Sequence, residues 1–427
     1  MTKNNKTVAV IGLGYVGLPL AVLAREKGWS VLGVDINAPK VKLIQKGEVP
    51  FHDSELSESL KKYPIKAGTD FSVIANAHII IIAVPTPFYD NKKADMRFVT
   101  AATESILPYL RKGNLVILES TSPPQTTNEL VKPILVKTGL SAGTDFLLCY
   151  SPERVLPGQI LKELVENTRV IGGIKSQSAE AGRDLYRIFV KGEIILTDTT
   201  TAEMVKLMEN TYRDVNIAIA NEFSRLADCF GVNVWEAIEI ANLHPRVKIL
   251  NPGPGVGGHC ISVDPWFFVE TAPDLAQLIA MARRVNDSQP EFVVSLVERI
   301  LGSLLGKKIA VLGLAYKPDV DDLRESPAIE TVHLLERSGA QVKAYEPFKL
   351  GGYPGINTQP NLDLALADVD LILVLVGHTQ FKNLDIEHVK AISPARIILD
   401  TVNIEMSEWE NADFTVYKLG NGQQWVN

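Results

Sequence analysis

Residues 7–17 are Thr-Val-Ala-Val-Ile-Gly-Leu-Gly-Tyr-Val-Gly, an apolar run that leads directly into glycines spaced as Gly-x-Gly-x-x-Gly. Continuous apolar runs are typical of strands that are buried on both faces. A helical pattern follows to about Lys27, and the run Ser30–Val34 predicts a second strand that ends at Asp35. This strand–helix–strand unit implies a parallel sheet and a doubly wound fold.

The glycine spacing predicts a dinucleotide site. The first glycine would make a tight turn, the second would let the backbone approach a pyrophosphate, and the third would let the helix pack on the strand. A carboxylate at Asp35 would accept hydrogen bonds from the adenosine ribose and repel a 2′-phosphate, which favours NAD over NADP. A glycine turn that serves packing alone is the alternative. The cofactor residues predicted in this unit are Gly12, Gly14, Tyr15, Val16, Gly17 and Asp35.

Further candidate ligand residues follow other apolar runs. Thr86 and Thr121 each come shortly after one, and the carboxyl ends of parallel strands line the ligand crevice. Both threonines are therefore candidate cofactor contacts, and helix capping is the alternative. Glu153 follows the run Phe146–Cys149, where a carboxylate could act as a general base.

A weak internal repeat predicts a second nucleotide-type domain. Residues 307–315 align without gaps with residues 6–14, and a helical pattern and a strand ending at Glu346 follow. The second copy lacks the remaining glycines, so we expect it to bind a ligand differently. Chance recurrence of a strand followed by Gly-Leu is the alternative.

Residues 201–245 and 274–305 have helical patterns with few breakers. We therefore expect an α/β protein with two doubly wound, Rossmann-like domains joined by a central helical region. The expected limits are 1–200 for the NAD domain, 201–305 for the helical region and 306–427 for the second domain. The central helices are the expected subunit interface of a homodimer or larger homo-oligomer.

Composition restricts the class of protein. The chain has 427 residues and a formal net charge of −7, which argues against nonspecific nucleic-acid binding. No stretch approaches about eighteen consecutive apolar residues, and the first residues do not resemble a signal peptide, so we expect no membrane association. Three scattered cysteines fit a reducing cytoplasm without a metal site. Cys149 and Cys229 lie in apolar contexts and are interpreted as packing residues.

Cys260 follows the glycine-rich stretch 252–258 and precedes Asp264 by four positions. A nucleophilic thiol needs a lowered pKa or a nearby cation. Lys206 and Asn210 are spaced to share a helix face, where they could orient an alcohol and hold an oxyanion; a solvated face is the alternative for Lys206. Asp264 could hold a water or tune the lysine. Backbone amides of the glycine-rich stretch suit a phosphate, and a structural hairpin is the alternative.

Residues 315–328 are dense in charge. Lys317 and Arg324 could clamp phosphates or carboxylates. A surface cluster of salt bridges explains the same residues equally well.

Taken in order, these motifs strongly resemble those of the UDP-glucose/GDP-mannose dehydrogenase family over nearly the whole chain. The resemblance implies oxidation of the C6 alcohol of a nucleotide sugar to a carboxylate in two NAD-dependent steps. It also implies an N-terminal NAD domain, a central helical dimer core and a C-terminal nucleotide-sugar domain. The motifs are Gly12–Gly17, Val84–Pro87, Ser151–Glu153, Glu203 with Lys206 and Asn210, Gly257–Cys260 with Asp264, and Lys317–Ala328.

The resemblance also implies roles for individual residues. Cys260 would form a thiohemiacetal and then a thioester, and Glu153 would assist hydrolysis of the thioester. Lys206, Asn210 and Asp264 would support alcohol oxidation and stabilise the oxyanion. Arg324 would lie near the cofactor. The nucleotide-sugar contacts would be Arg154, Lys206, Asn210, Arg246 from the neighbouring subunit, Gly257, Gly258 and Lys317.

Within the family, the chain is most similar to the UDP-N-acetyl-D-mannosamine dehydrogenases, by the stretches 152–158, 243–247 and 252–261. UDP-glucose enzymes usually carry a second acidic residue where this chain has Pro157-Gly158. UDP-N-acetylglucosamine enzymes usually carry an acidic or amide residue where this chain has Leu156. The expected substrate is therefore UDP-N-acetylmannosamine or a close relative, oxidised for polysaccharide biosynthesis.

Three points stay open at this stage. Hydrogen-bond geometry decides the C2 epimer of the sugar, and the sequence does not fix it. Gln125 stands where the family usually has glycine, which leaves the cofactor role of the neighbouring threonines undecided. A two-electron hydroxyacid-type dehydrogenase is the alternative outside the family, although it has no use for Cys260.

Overall fold

The computed structural model describes residues 6–51, 53–89, 91–154, 160–349, 351–404 and 406–422. The chain divides into two compact units, Met1–Glu209 with Trp266–Pro273, and Asn210–Pro265 with Asp274–Asn427. Among the described residues, no helix is long and apolar enough to cross a membrane. The same residues contain no group of three or more side chains that could hold a metal ion.

The first unit is built on an eight-stranded sheet whose order is β3-β2-β1-β4-β5-β6-β7-β8. All neighbouring strands are parallel except β6 and β7. The winding direction reverses between β1 and β4, and this is where a doubly wound sheet opens its ligand crevice. The strands are β1 Thr7–Ile11, β2 Ser30–Val34, β3 Lys66–Gly68, β4 Ile79–Ile82, β5 Leu115–Leu118, β6 Leu147–Tyr150, β7 Arg169–Gly173 and β8 Ile194–Asp198.

The second unit contains a five-stranded parallel sheet whose order is β10-β9-β11-β12-β13. The two copies of the repeat correspond in contacts as well as in sequence. The amide of Gly12 donates to Val34 O at 2.8 Å, and the amide of Gly313 donates to Tyr345 O at 2.9 Å. The predicted fold class is therefore confirmed. The strands are β9 Lys308–Leu312, β10 Gln341–Tyr345, β11 Leu371–Val374, β12 Ile397–Asp400 and β13 Thr415–Lys418.

The region between the two sheets is helical, as the sequence predicts. α8, Thr199–Phe230, runs unbroken for 32 residues, and α9, Val234–Asn242, follows it. The single helical pattern predicted over 274–305 is wrong in detail, because α11 ends at Asp287 and α12 begins at Gln289. Pro290 lies in the first turn of α12, where its missing N–H costs nothing, and it cannot continue α11.

The helices cover the apolar faces of the strands. In α1, Gly17–Glu26, every residue from Gly17 to Ala24 is buried. The other helices of the first half are α2 Ala38–Gln45, α3 Ser54–Lys62, α4 Arg97–Glu104, α5 Lys132–Leu135, α6 Ile160–Glu166, α7 Ser176–Tyr186 and α8 Thr199–Phe230. Those of the second half are α9 Val234–Asn242, α10 Asp264–Thr271, α11 Gln277–Asp287, α12 Gln289–Leu301, α13 Pro327–Arg337, α14 Leu362–Leu366, α15 Thr379–Lys382, α16 Ile386–Ile392 and α17 Ser407–Asn411.

Candidate functional site

The three glycines of the turn between β1 and α1 have different physical roles. Gly12 has φ +93°, and a Cβ there would lie 2.3 Å from Ala83 O. A Cβ on Gly17 would lie 1.9 Å from Gly12 O, so packing alone requires these two glycines. A Cβ on Gly14 would meet nothing within 4 Å. Packing therefore does not explain Gly14, and the open space beside it fits the close approach of a pyrophosphate.

Asp35 is buried at the end of β2 and is held by three donors. Its Oδ2 accepts from the amide of Leu13 at 2.9 Å and from Nζ of Lys40 at 2.8 Å, and its Oδ1 accepts from the amide of Asn37 at 2.9 Å. Burial alone would raise the pKa of Asp35, but these hydrogen bonds outweigh it and leave the pKa below its usual value. The carboxylate is therefore charged, and Oδ1 keeps a lone pair for a further donor. Sequence reasoning missed Lys40, although its place in the first turn of α2 was a usable signal.

Thr86 and Thr121 lie in the loops after β4 and β5, which are parallel neighbours in the sheet. Both side chains are partly exposed at the carboxyl edge. Neither threonine caps the helix that follows it. The N-cap residue of α4 is Met96, and the N-cap residue of the helical turn Thr127–Val131 is Thr126. Both threonines stay predicted cofactor contacts.

Glu203, on α8, fixes the chain that follows the Thr121 loop. Its carboxylate accepts from the amide of Gln125 at 2.6 Å, and from the amide and hydroxyl of Thr127 at 2.8 and 2.6 Å. Gln125 has φ +74°, a conformation that favours glycine, the residue that the family resemblance led us to expect here. Burial raises the pKa of Glu203 to about 7. From the sequence, Glu203 was identified as part of a motif, but no role was assigned to its side chain.

A buried charge network holds the segment that begins at Ser151. Nε of Arg169 donates to Ser151 Oγ at 2.9 Å, and its Nη2 pairs with Glu119 Oε1 at 2.5 Å. The guanidinium lies over the ring of Tyr186, 3.8 Å from its centroid. This network fixes the backbone two residues before Glu153, which is itself partly exposed. Sequence reasoning missed the network because its members are far apart in the chain.

The guanidinium of Arg154 donates hydrogen bonds to other groups of the protein. Its Nε donates to Glu209 Oε2 at 3.0 Å, its Nη2 pairs with the same carboxylate, and its Nη1 donates to Thr168 O at 2.9 Å. A contact between Arg154 and a nucleotide sugar stays a prediction. Residues 155–158 lie outside the described residues. They include Leu156 and Pro157-Gly158, from which the preference for one sugar was inferred.

The structure brings three of the predicted catalytic residues together in the second unit. Nδ2 of Asn210, on α8, donates to Asp264 Oδ2 at 2.5 Å, and both side chains are buried. The amide of Asp264 donates to the carbonyl of Cys260 at 2.8 Å, which folds the segment between them into one turn leading into α10. Cys260 itself is partly exposed. A partly exposed cysteine thus lies one turn from a buried carboxylate–amide pair.

Burial overturns two interpretations made from the sequence. Lys206 precedes Asn210 by one turn of α8 and is only 6% exposed, so the solvated-face alternative is wrong. Cys149 is buried as predicted, and burial raises the pKa of its thiol. Cys229 is exposed on α8, so its interpretation as a packing residue is wrong. An apolar sequence neighbourhood does not reveal which face of a helix a side chain occupies.

The stretch that leads to Cys260 is a loop, not a hairpin, because none of residues 252–258 belongs to a strand. A Cβ on Gly257 would lie 2.4 Å from Glu325 O and 2.9 Å from Cβ of Tyr316. A Cβ on Gly258 would lie 2.7 Å from the ring of Tyr316, and the amide of Gly258 donates to Arg324 O at 3.2 Å. Close packing therefore already requires both glycines, and their predicted contacts with a ligand stay predictions.

The other end of this loop is held at Gly253. Its amide donates to Asn221 Oδ1 at 2.9 Å, and its carbonyl accepts from Nε2 of Gln289 at 2.8 Å. Both partners are buried side chains on helices of the second unit. The loop before Cys260 is thus fixed by side-chain hydrogen bonds at one end and by glycine packing at the other.

The charged stretch after β9 contains an ion-pair cluster. Arg324 pairs with Asp322 at 2.6 Å, and its Nη2 lies 3.0 Å from Nδ1 of His259. Burial alone would raise the pKa of Asp322, but the hydrogen bonds from Arg324 leave it below the usual value. The salt-bridge alternative therefore describes Arg324, and its contact with a cofactor stays a prediction. Nζ of Lys317 lies 5.7 Å from the ring centroid of Tyr316, and its contact with substrate also stays a prediction.

His378 anchors this stretch to β10. Its Nδ1 accepts from the amide of Asp319 at 2.9 Å, so Nε2 carries the proton and donates to Glu346 Oε2 at 3.1 Å. The same carboxylate accepts from the amides of Leu314 and Ala315 at 2.8 and 2.9 Å. Glu346 occupies the place that Asp35 has in the first copy, and donors of the protein hold both carboxylates. The expectation that the second copy binds a ligand differently stays a prediction.

Comparison with known proteins gives consistent matches over the whole chain. Three models of the UDP-glucose/GDP-mannose dehydrogenase family match, its NAD binding domain over residues 6–190, its central domain over 200–288 and its UDP binding domain over 310–406. The chain is 49% identical to a UDP-N-acetyl-D-mannosamine dehydrogenase of Methanocaldococcus jannaschii, over 98% of this chain and 97% of that protein. It is 44% identical to an NDP-N-acetyl-D-galactosaminuronic acid dehydrogenase of Ralstonia nicotianae, over 93% of this chain and 95% of that protein. A solved structure of UDP-D-ManNAc dehydrogenase from Pyrococcus horikoshii is 40% identical with a TM-score of 0.91, and the match covers 97% of this chain and 99% of that one.

Proposed function

The chain belongs to the UDP-glucose/GDP-mannose dehydrogenase family, and on that premise we propose that it oxidises UDP-N-acetyl-D-mannosamine to UDP-N-acetyl-D-mannosaminuronate. The reaction consumes one water and two NAD per sugar and releases two NADH and three protons. The relative from Methanocaldococcus jannaschii, at 49% identity, supports the choice of sugar. The observation that carries the chemistry is the turn that joins Cys260 to Asp264, with Asp264 hydrogen-bonded to Asn210.

The proposed cofactor site lies at the turn between β1 and α1. NAD supplies the hydride acceptor when bound there. The open space at Gly14 accommodates its pyrophosphate, and the charged Asp35 accepts from the adenosine ribose. Thr86, Thr121 and Arg324 are the further proposed contacts.

In the first step, the C6 alcohol loses a hydride and its hydroxyl proton and becomes an aldehyde. We assign Lys206 and Asn210 as the donors that stabilise the oxygen as negative charge develops on it. Asp264 accepts from Asn210 and so orients its amide. Because a buried site has a lower dielectric constant than water, these groups stabilise the developing charge on the oxygen more strongly than they would in water.

In the second step, the thiol of Cys260 adds to the aldehyde, and the product is a thiohemiacetal. Loss of a second hydride gives a thioester, which water hydrolyses to the carboxylate while the thiol is regenerated. We assign Glu153 as the base that removes a proton from this water. A covalent sulfur adduct keeps the aldehyde on the protein between the two oxidations.

NADH counting tests this function. Purified protein is given limiting UDP-N-acetylmannosamine, UDP-N-acetylglucosamine, UDP-N-acetylgalactosamine or UDP-glucose with excess NAD. We expect two NADH per sugar and the highest kcat/KM for the mannosamine form. Cys260→Ala should form no uronic acid, and Cys260→Ser, a near-isosteric control, should stall before release. One NADH per sugar in the wild type, or uronic acid at the wild-type rate from Cys260→Ala, refutes the covalent mechanism.

A second candidate substrate is the galactosamine counterpart. The relative from Ralstonia nicotianae, named for an N-acetyl-D-galactosaminuronic acid product, is 44% identical to this chain. The same set of sugars separates the two, because a pocket built to hydrogen-bond one stereoisomer leaves its polar groups unpaired with the other. Preference for UDP-N-acetylgalactosamine would replace the sugar assignment and leave the mechanism unchanged.

We further propose that the protein is a homodimer formed through α8 in a reducing cytoplasm, which keeps Cys260 as a thiol. Large apolar side chains are exposed at helical spacing on α8, and others are exposed on and just after α9, which marks a candidate interaction surface. Arg246, the predicted contact with the partner's sugar, is exposed just after α9. Sedimentation should give twice the chain mass, and Phe223→Glu should give the monomer. The exposed apolar residues are Tyr212, Ile219, Phe223, Leu226, Phe230, Ile240 and Leu243, at 41–82% exposure.

A further inference from the structure

The amide of Asn210 has a different kind of partner at each end. Nδ2 donates to Asp264 Oδ2 at 2.5 Å, and Oδ1 accepts from Nη2 of Arg213, three residues later on α8. Asn210 is buried, and Arg213 is partly exposed. Within the described part of the chain, Asn210 is the only hydrogen-bond partner of Arg213. This arginine therefore has no other structural hydrogen bond there.

These two partners fix which way the amide points. A guanidinium only donates hydrogen bonds and an ionised carboxylate only accepts them. The flipped amide would place its N–H groups against Arg213 and its oxygen against Asp264, which loses both hydrogen bonds and creates two repulsions. Only one orientation is compatible with both neighbours.

The fixed orientation leaves one donor unused. The amide nitrogen carries two hydrogens, and Asp264 takes one of them. No other group in the described residues accepts from Nδ2, although the side chain is almost wholly buried. A buried N–H without a partner is costly unless a ligand completes it.

We propose that Arg213 is a positioning residue, which holds the amide of Asn210 so that its second N–H points to the C6 oxygen of the nucleotide sugar. This inference rests on the proposed function, because the C6 oxygen is where negative charge develops during oxidation. A donor that is already oriented stabilises that charge without reorganisation. Arg213 acts through Asn210 and need not touch the sugar itself.

A double-mutant cycle tests this indirect action. Arg213→Met keeps the length of the aliphatic stem and removes the donors. We expect kcat to fall about 10- to 100-fold, the range for a lost hydrogen bond to a charged group, with KM for the sugar nucleotide changed less than about threefold. In an Asn210→Ala background, the same substitution should lower kcat further by less than about twofold. Arg213→Lys keeps a donor and should recover most of the loss.

Arg284→Met is the matched control, because Arg284 is exposed on α11 and, among the described residues, its side chain bonds only to Ala280 O on its own helix. It should leave kcat unchanged. All variants are first compared by thermal melting. Should Arg213→Met fail to fold, Arg213→Leu, which also lacks a donor, completes the cycle with Asn210→Ala.

Three results would overturn the proposal. They are an equal loss of kcat from Arg213→Met with and without Asn210, a loss confined to KM, and an unchanged kcat. The cycle is run on whichever nucleotide sugar the wild type oxidises, and single-turnover formation of the first NADH is followed beside kcat so that the first hydride transfer is read directly. A wrong sugar or a wrong NADH count therefore disproves the proposed function without touching this result.

Discussion

Replacing Gly257 by alanine should destabilise the second unit and disturb Cys260, because the new methyl group would have no room. Its Cβ would lie 2.4 Å from Glu325 O, 2.7 Å from Cδ of Pro327 and 2.9 Å from Cβ of Tyr316. An ordinary contact is about 1 Å longer than the first of these distances. The blocking atoms are a backbone oxygen, a proline ring carbon and a Cβ, none of which can rotate away. Glu325 has φ +50°, so its backbone is already in a sparsely populated conformation.

Overpacking of this kind costs about 1–3 kcal/mol in the free energy of unfolding. For a unit of about 200 residues, that lowers its melting temperature by roughly 2–10 °C. The loop must move by about 1 Å within three residues of Cys260, and a displacement of this size can lower kcat about 100-fold. Calorimetry follows the melting temperature. NADH formation follows kcat, and alkylation of Cys260 in a Cys229→Ser background follows the position of the thiol.

The matched control is Gly253→Ala in the same loop, where a Cβ would meet nothing within 4 Å and φ is not positive. Its melting temperature should stay within about 2 °C of the wild type, because the new methyl group has open space and the hydrogen bonds at Gly253 are made by its backbone, which alanine keeps. Equal melting temperatures and equal alkylation rates for the Gly257 variant and the Gly253 variant would refute the packing argument.

Three further perturbations have expected outcomes. Asp35→Asn should reduce the preference for NAD over NADP about tenfold in kcat/KM. Lys40→Met should increase this preference, because the lysine offsets the carboxylate charge that repels a 2′-phosphate. Equal ratios of kcat/KM for NAD and NADP in both variants would exclude a role of Asp35 in choosing the cofactor. Burial raises the pKa of Asp400 to about 6 from 3.8, so the stability it contributes is present at low pH and lost as pH rises through about 6. The wild type should therefore lose about 1–2 kcal/mol relative to Asp400→Asn between pH 5 and pH 8, and a pH-independent difference in denaturant midpoints would contradict this. His378→Leu should destabilise the second unit by about 1–3 kcal/mol because it leaves the amide of Asp319 unpaired, and His378→Gln, which can accept and donate at once, should recover part of this loss in thermal melts.

The sequence alone predicted the fold because the relevant patterns are local. An apolar run that enters glycine describes a buried strand and a tight turn within about ten residues, and this pattern occurs twice. Cys260, Asp264 and Asn210 could also be predicted, because they stand in motifs at fixed spacing. The structure then confirmed the alternation of strands and helices and brought these three residues together.

The tertiary structure alone decided how the side chains are paired. The hydrogen bond from Arg169 to Ser151 joins residues 18 positions apart, and the pairing of Arg169 with Glu119 joins residues 50 apart. No local pattern encodes such partners, because they depend on which strands become neighbours. Even Arg213, one turn from Asn210, could not be assigned in advance, since the direction of an amide depends on the groups at both of its ends. Spacing along the chain thus determined which residues belong to the fold and its motifs, and three-dimensional packing determined which atoms donate, which accept and which N–H is left for a ligand.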